Sequence, residues 1–430
     1  MRSGRIVDPA AGRDEVGDLL IRDGHIDDAG GVTDAEVIDA SGLVVVPGLV
    51  DMHTHVREPG REDEETIATA SAAAASGGYT AIVAMPNTDP VADTAAIVEK
   101  VWALGRHAGL VEVIPAGALT RGLAGEKMAD LGEMVRSNAR VCLFTDDGHG
   151  VQNALMARRA MEYLVAFNGI YAEHCEDAAL AAGGQMHEGE YSAALGLRGI
   201  PAAAEELMAA RDIALARLTG CRLHLLHVST AGTVDLVRRA QADGIAVTAE
   251  ATPHHFTLTD AELSSYDPDL KVNPPLRAEA DRAAVAKGIA DGTIEVIATD
   301  HAPHALEEKD REFEYAPPGM IGLETALALT VTELVEPGHL SFVDAIDRLS
   351  CAPARILGLS DHGGPLAPGR PAHVTVFDPG ATWTVDKTAF HSRSTNSPFA
   401  GRTLTGRVVH TFFGGRPTVR DGVVASEALV

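Results

Sequence analysis

Eight short, nearly uninterrupted apolar runs punctuate the chain, at residues 43–50, 79–85, 110–118, 139–144, 169–172, 222–227, 245–250 and 294–299. Runs of this length without regular polar alternation suit strands buried on both faces. Between them lie alanine-rich stretches at 64–76, 91–104, 151–167, 202–218, 234–242 and 279–290, whose composition favours helix. Strand–helix alternation predicts a parallel sheet, because parallel neighbours need a long crossover connection. Eight such units predict a closed (β/α)8 barrel rather than an open doubly wound sheet. A doubly wound nucleotide fold would also carry G-x-G-x-x-G after its first strand, where this chain has P-G-L-V-D-M-H-T-H.

The two ends read differently. Near the start, D-L-L-I-R-D-G-H-I-D-D-A-G-G places two short strands around an Asp-Gly turn, a hairpin signal. Near the end, H-V-T-V-F-D, T-W-T-V, G-R-V-V-H-T-F-F-G-G and R-P-T-V-R-D-G-V-V are again β-rich with glycine turns. We expect one small β-sandwich built jointly from residues 1–47 and 363–430, flanking a barrel over 48–362. Two separate β appendages are the alternative.

The polar residues at the strand ends carry the chemistry, since catalytic groups of a barrel stand at the C-terminal ends of its strands. The first run leads into Asp51-Met52-His53-Thr54-His55-Val56-Arg57. In an extended strand His53 and His55 share a face, because side chains alternate with period two, and two such imidazoles are half of a metal site. The fourth run ends in Thr145-Asp146-Asp147-Gly148 and the fifth in Glu173-His174. The sixth ends in His224-Leu225-Leu226-His227 and the eighth in Thr299-Asp300-His301. Five of eight strand ends thus bear His or Asp while the strand bodies are apolar, which points to a divalent ion in the barrel mouth. Taken singly, His174 would also suit a satisfied core histidine, and His224, three residues before its strand end, reads as one.

Composition narrows the ion and the partners. Imidazole with carboxylate suits zinc and, less selectively, manganese, cobalt or iron. Cys142, Cys175, Cys221 and Cys351 form no C-x-x-C pair and hold no candidate position, which excludes thiolate-held sites and predicts free thiols in a reducing compartment. The 430 residues carry 61 Asp and Glu against 35 Lys and Arg, a formal charge of −26. That balance argues against binding nucleic acid or an anionic membrane, whereas a small anion needs only one or two placed arginines. No uncharged apolar run reaches roughly 18 residues, and the first residues lack an apolar leader, so we expect a soluble, cytoplasmic protein. A divalent ion brings the pKa of its water to about 7; beside an aspartate that can accept a proton, this implies metal-assisted hydrolysis.

Together the motifs resemble the type I dihydroorotases, in the cyclic amidohydrolase branch of the amidohydrolase superfamily. They are D-x-H-x-H-x-R-E-P-G from Asp51, F-T-D-D-G from Phe144, A-x-H-C-E-D from Ala172 and H-x-x-H-V-S-T from His224. E-x-T-P-H-H-F from Glu250, K-V-N-P-P-L-R from Lys271, A-T-D-H-A-P-H from Ala298 and P-x-G-M-I-G-L-E-T-A from Pro317 complete the set. The likeness runs in unchanged order from Gly4 to Val423. A-T-D-H-A-P-H is general to cyclic amidohydrolases; K-V-N-P-P-L-R with F-T-D-D-G is much more specific. The chain begins close to G-R-I-V-D-P, where the resemblance leads one to expect a short preceding strand.

Carried over residue by residue, the resemblance implies metal ligands at His53, His55, Asp147, His174, His227 and Asp300, holding one or two Zn2+ ions per subunit, with two expected. Hydantoinases and allantoinases bridge two metals with a carboxylated lysine at the end of strand four. None of this chain's six lysines stands there, and the aspartate pair matches the bacterial type I pattern. Asp147 is preferred to Asp146 on its 27-residue separation from His174, as in the family; Asp146 stays open as the ligand, or as a cap or supporting group. His149 would bind metal or occupy a loop.

The implied substrate contacts are His55, Arg57, Asn87, Asn273, His304 and the backbone at Pro318 and Gly319. Arg57 offers a planar fork that suits a carboxylate, while an Asn beside Pro is otherwise a turn residue. Asp300 is implied as the catalytic group that takes a proton from the attacking water and returns it to the leaving ring nitrogen. The reaction the resemblance implies is the reversible hydrolysis of dihydroorotate to N-carbamoyl-L-aspartate in pyrimidine biosynthesis. The family forms homodimers and sometimes complexes with aspartate transcarbamoylase, so both join the small anionic substrate as expected partners. One alternative is another cyclic amidase, a dihydropyrimidinase, hydantoinase or allantoinase, which would want the bridging lysine. The other is a catalytically silent homologue serving as a structural partner of the transcarbamoylase, which would lose the ligands kept here.

Overall fold

A computed structural model describes residues 1–28 and 35–425. Eight parallel strands form its centre: β1 (Leu49–Thr54), β2 (Tyr79–Ala84), β3 (Glu112–Pro115), β4 (Leu143–Phe144), β5 (Ile170–Glu173), β6 (Arg222–Leu225), β7 (Val247–Ala251) and β8 (Val296–Ile297). Continuous ladders join β1 to β3 and β4 to β8. Two single parallel bridges, Gly117 to Phe144 and Thr54 to His301, close the circle. Their backbone bonds are short: Gly117 N donates to Leu143 O at 3.0 Å and His55 N to His301 O at 2.8 Å. The strands are apolar because helices cover them outside and side chains fill them inside. Helices Ile67–Ser76, Ala95–Ala108, Leu131–Arg136, Ala154–Val165, Ala202–Thr219, Ala231–Ala242 and Glu279–Asp291 follow β1 to β7, and Ala326–Thr330 comes after β8. This is the barrel that the alternation predicts.

The first apolar run divides in the structure. Residues 43–50 read as one strand, but Val44–Pro47 lies in the terminal sheet between Gly4–Asp8 and Val374–Thr384, and β1 begins at Leu49. Gly48 makes the crossing; a Cβ there would sit 2.3 Å from the Thr80 side chain. An apolar pattern cannot separate two consecutive buried strands when the break is a single glycine. As a result His53 stands within β1 instead of beyond it.

Both ends of the chain build one seven-stranded sheet, in the order Val423–Val424, Arg416–Arg420, Thr403–Phe413, Val374–Thr384, Val44–Pro47, Gly4–Asp8, Arg13–Gly17. The hairpin Leu20–Arg22 with His25–Asp27 turns on Asp23 and Gly24, with φ of 50° and 80°, as a two-residue Asp-Gly turn requires. Its Ile26 packs with Ile6, Val45 and Val374, giving the sheet a second layer. The end of that motif, at residues 29–31, lies outside the described residues, as do residues 426–430. H-V-T-V-F-D and T-W-T-V read as two strands but form one, Val374–Thr384, whose register breaks between Asp378 and Thr382. The chain between Val374–Thr384 and Thr403–Phe413 returns to the barrel mouth. There Ser394 Oγ donates to Glu64 O at 2.7 Å, and Asn396 Nδ2 to Ala302 O at 2.9 Å and Gly319 O at 3.1 Å. Among the described residues no helix is long and apolar enough to cross a membrane.

Candidate active site

The six residues read as ligands converge at the C-terminal mouth. His53 lies in β1 and His55 just past it; Asp147, His174, His227 and Asp300 follow β4, β5, β6 and β8. All are buried. Asp147 is central, with one oxygen turned to each side. Its Oδ2 lies 3.5 Å from His53 Nε2 and 3.4 Å from His55 Nε2. Its Oδ1 lies 3.5 Å from both His174 Nδ1 and His227 Nε2. Asp300 Oδ1 joins the first side, 3.0 Å from His55 Nε2 and 3.4 Å from His53 Nε2. Two groups that share Asp147 result, His53–His55–Asp147 and Asp147–His174–His227, each with donor atoms within 4.8 Å of one another.

These donors fit a cation. His53 Nε2 and Asp147 Oδ1 are buried without a hydrogen-bond partner among the described residues, and His174 Nδ1 faces His227 Nε2 at 2.9 Å. Buried polar atoms are ordinarily paired, and imidazole with carboxylate is a donor set for zinc or another divalent ion. Burial alone would raise the Asp147 and Asp300 carboxyls, but His53 first, then His174 and His227 beside Asp147 and His55 beside Asp300, hold both well below the usual carboxylate range. Arg57, His227 and Asp300 have φ of 58°, 31° and 48°. Non-glycine residues adopt that region at a cost and keep it where their surroundings enforce it.

Around the ligands, further side chains aim the rings. His53 Nδ1 donates to Glu250 Oε1 at 2.7 Å, and Glu250 Oε2 accepts from His224 Nε2 at 3.0 Å. A bond at the second ring nitrogen fixes the tautomer that leaves His53 Nε2 facing Asp147. His224 therefore stands behind Glu250, outside the ligand groups. His55 Nδ1 donates to Asn87 Oδ1 at 2.9 Å, and the Asn273 amide lies 3.3 Å from His174 Nε2. Both asparagines read as substrate contacts thus meet histidines read as ligands, while Asn273 Oδ1 is buried without a hydrogen-bond partner among the described residues. Asp146 turns away and accepts from Leu119 N and Thr120 N, each at 2.9 Å, which fixes the loop after β3. His149 is exposed in the next turn.

Arg57, His304, Pro318 and Gly319 form one wall beside the cluster. Arg57 Nε donates to Pro303 O at 3.0 Å and forms an ion pair with Glu64 Oε2 at 3.1 Å. His304 Nδ1 donates to Glu64 Oε1 at 3.0 Å and Nε2 to Pro318 O at 2.9 Å. Burial, then the Arg57 and Lys309 charges, press this ring toward its neutral form. The two contacts require the opposite, because a neutral ring would turn a lone pair toward one of the two oxygens. Only a ring protonated on both nitrogens would satisfy the two oxygens at once. At Gly319, with φ of 142°, a Cβ would lie 2.8 Å from His304 Nε2, so the close approach requires glycine. Lys309 Nζ donates to Pro317 O and Gly319 O, both at 3.0 Å, and pins that segment.

Sequence reading passes over Glu250, Glu64 and Asn396. Glu250 ends the seventh apolar run and carries the signal used at the other strand ends. Glu64 and Asn396 lie in connecting segments, where no periodicity marks them.

Comparison with known proteins follows the same lines. A family profile described as Dihydro-orotase-like matches residues 42–233. A dihydroorotase of Pelotomaculum thermopropionicum is 52% identical over 99% of this chain and 99% of its own length. One from Streptomyces coelicolor is 52% identical over 94% of this chain and 95% of its own. Among solved structures, an L-hydantoinase (dihydropyrimidinase) from Arthrobacter aurescens superposes with a TM-score of 0.87 at 25% identity, covering 99% of this chain and 96% of that one.

Proposed function

Because this chain belongs to the dihydroorotase family, we propose that it catalyses the reversible hydrolysis of the ring amide of dihydroorotate to N-carbamoyl-L-aspartate. The observation that carries this reading is Asp147. A carboxylate, and not a lysine, stands after β4 with a pair of histidines on each oxygen, which favours a dihydroorotase over a hydantoinase or allantoinase. His53, His55, Asp147 and Asp300 would hold one Zn2+ ion, and Asp147, His174 and His227 a second. Bound there, zinc supplies Lewis acidity and a water that ionises near neutral pH.

The chain's own groups do the rest. Asp300, its proton affinity held low by His53 and His55, orients the attacking water, accepts its proton and delivers it to the leaving ring nitrogen. Arg57 and His304 bind the substrate carboxylate. Asn273, whose buried Oδ1 has no hydrogen-bond partner among the described residues, and the Pro318–Gly319 backbone hold the ring edge. Run backwards, the same proton path closes the ring. The family resemblance adds a homodimer, a cytoplasmic location and a complex with aspartate transcarbamoylase to the proposal, for which light scattering of the purified protein alone and with that enzyme is the check.

The reading is tested with purified protein and three substrates. Dihydroorotate should lose its ultraviolet absorbance while hydantoin and allantoin stay intact. Hydrolysis of hydantoin or allantoin but not dihydroorotate would assign another cyclic amidase. A protein that is inert toward all three and binds no metal would be the silent homologue.

A further inference from the structure

Among the described residues, one further grouping outside the ligand cluster brings a histidine against two carboxylates: Glu64, His304 and Glu308. It is not arranged for a cation. Glu64 Oε2 is taken by Arg57 Nε at 3.1 Å, and Oε1 by His304 Nδ1 at 3.0 Å and Arg61 Nη2 at 3.2 Å. His304 has no ring nitrogen left, since Nε2 meets Pro318 O. The Glu64 side chain is only 3% exposed, so an anionic group is buried where the substrate's own anion is to bind. Burying a carboxylate costs free energy unless its partners satisfy it, and here the partners are two guanidiniums and a histidine ring.

We infer that Glu64 is the positioning residue of the substrate-carboxylate grip, holding Arg57 and His304 together so that both present donors to one anion. This rests on the assignment of Arg57 and His304 given above. With its Nε–H on Pro303 O and the Glu64 carboxylate 3.1 Å from Nε, the Arg57 guanidinium is turned so that its Nη edge is the end left for a bidentate carboxylate. Holding His304 by Nδ1 keeps a proton on Nε2, which the substrate carboxylate would take over from Pro318 O. Without the Glu64 charge, the other groups facing the ring are Arg57 and Lys309, which oppose the imidazolium, and Glu308, which lies farther off at 3.7 Å. A ring protonated on Nδ1 alone would point a lone pair at the incoming anion. Glu64 itself never needs to touch the substrate.

Glu64→Gln is the direct test, because the isosteric amide can serve only one side. Its NH2 would lie either against the Arg57 guanidinium or against His304 Nδ1 and Arg61 Nη2, and the negative charge would be gone from both sides. Loss of one charge-assisted contact should raise KM for dihydroorotate about tenfold or more, with kcat within about threefold and bound metal unchanged. Arg57→Met, measured alongside, should raise KM at least as far. If Arg57→Met raises KM and Glu64→Gln does not, Glu64 has no positioning role and the inference falls while the carboxylate assignment stands. If neither changes KM, the carboxylate assignment falls and the inference with it. A fall in kcat and metal content at unchanged KM would show a merely structural role and also overturn it. Nitrogen-15 spectra of the wild type, with His304 assigned by its loss in His304→Asn, cover the case of a variant that fails to fold. Both His304 ring nitrogens should be protonated near neutral pH, and a neutral ring would overturn the inference.

Discussion

Asp300 is set apart from the other carboxylate of the cluster by position. Asp147 is shared between two histidine pairs, whereas among the described residues Asp300 pairs with His53 and His55 alone, and its φ is 48°. Asp300→Asn should therefore lower turnover by about two to four orders of magnitude, the usual contribution of a general base, while most of the bound metal stays. Unchanged turnover would remove Asp300 from the reaction. At Gly319 the expected effect is steric: Gly319→Ala places a methyl 2.8 Å from His304 Nε2 and should raise KM for dihydroorotate more than it lowers kcat. An unchanged KM would separate the 317–319 segment from substrate binding. Residue chemistry is legible where strand geometry enforces it. Period-two alternation brings His53 and His55 together, and strand ends bring Asp147, His174, His227 and Asp300 to one mouth. Glu64 reaches His304 across 240 residues of chain, and no local pattern encodes that meeting.

At the scale of elements, helix Ala202–Thr219 does more than cover β5. Its buried Glu205 accepts from Ser229 N and Thr230 N, both at 3.1 Å, and faces Arg277 at 3.6 Å. The loop behind His227 and the K-V-N-P-P-L-R segment are thus tied to one helix. Glu205→Ala should cost about 3–5 kcal/mol, the penalty for stranding a buried charge, as read by urea unfolding; a wild-type midpoint would contradict it. Lys309 gives the pH dependence. Burial presses its ammonium down from 10.5 to about 8, so between those values the unfolded chain keeps a proton that the folded chain has shed. Stability then rises with pH across that window, by at most about 1.4 kcal/mol per unit, and lies at its lower level below both values. Lys309→Met removes the titration. The unfolding free energy of wild type relative to this variant should increase between about pH 8 and pH 10, and a constant difference would refute the assignment. The strand runs and most helices were readable because burial imposes apolar continuity. The split at Gly48 and the union of two segments in Val374–Thr384 were not, because each depends on which sheet takes the strand.

At the scale of the whole molecule, the terminal sheet and the barrel mouth are joined by one connection. The sheet unites residues from both ends of the chain, and its long connection lays Ser394 and Asn396 against Glu64 and Gly319. That union was legible from two β-rich ends, but the return of the connection to the mouth was not. The charge of −26 likewise says little about the site, where Arg57, His304 and the bound ions would meet an anionic substrate. The central claim is a metal-dependent dihydroorotase built on the Asp147 clusters. Turnover of dihydroorotate by chelator-stripped protein, followed as zinc is added back, tests it most directly. The account predicts that stripping abolishes turnover and that zinc restores it in step with bound metal, and full turnover by metal-free protein would contradict it.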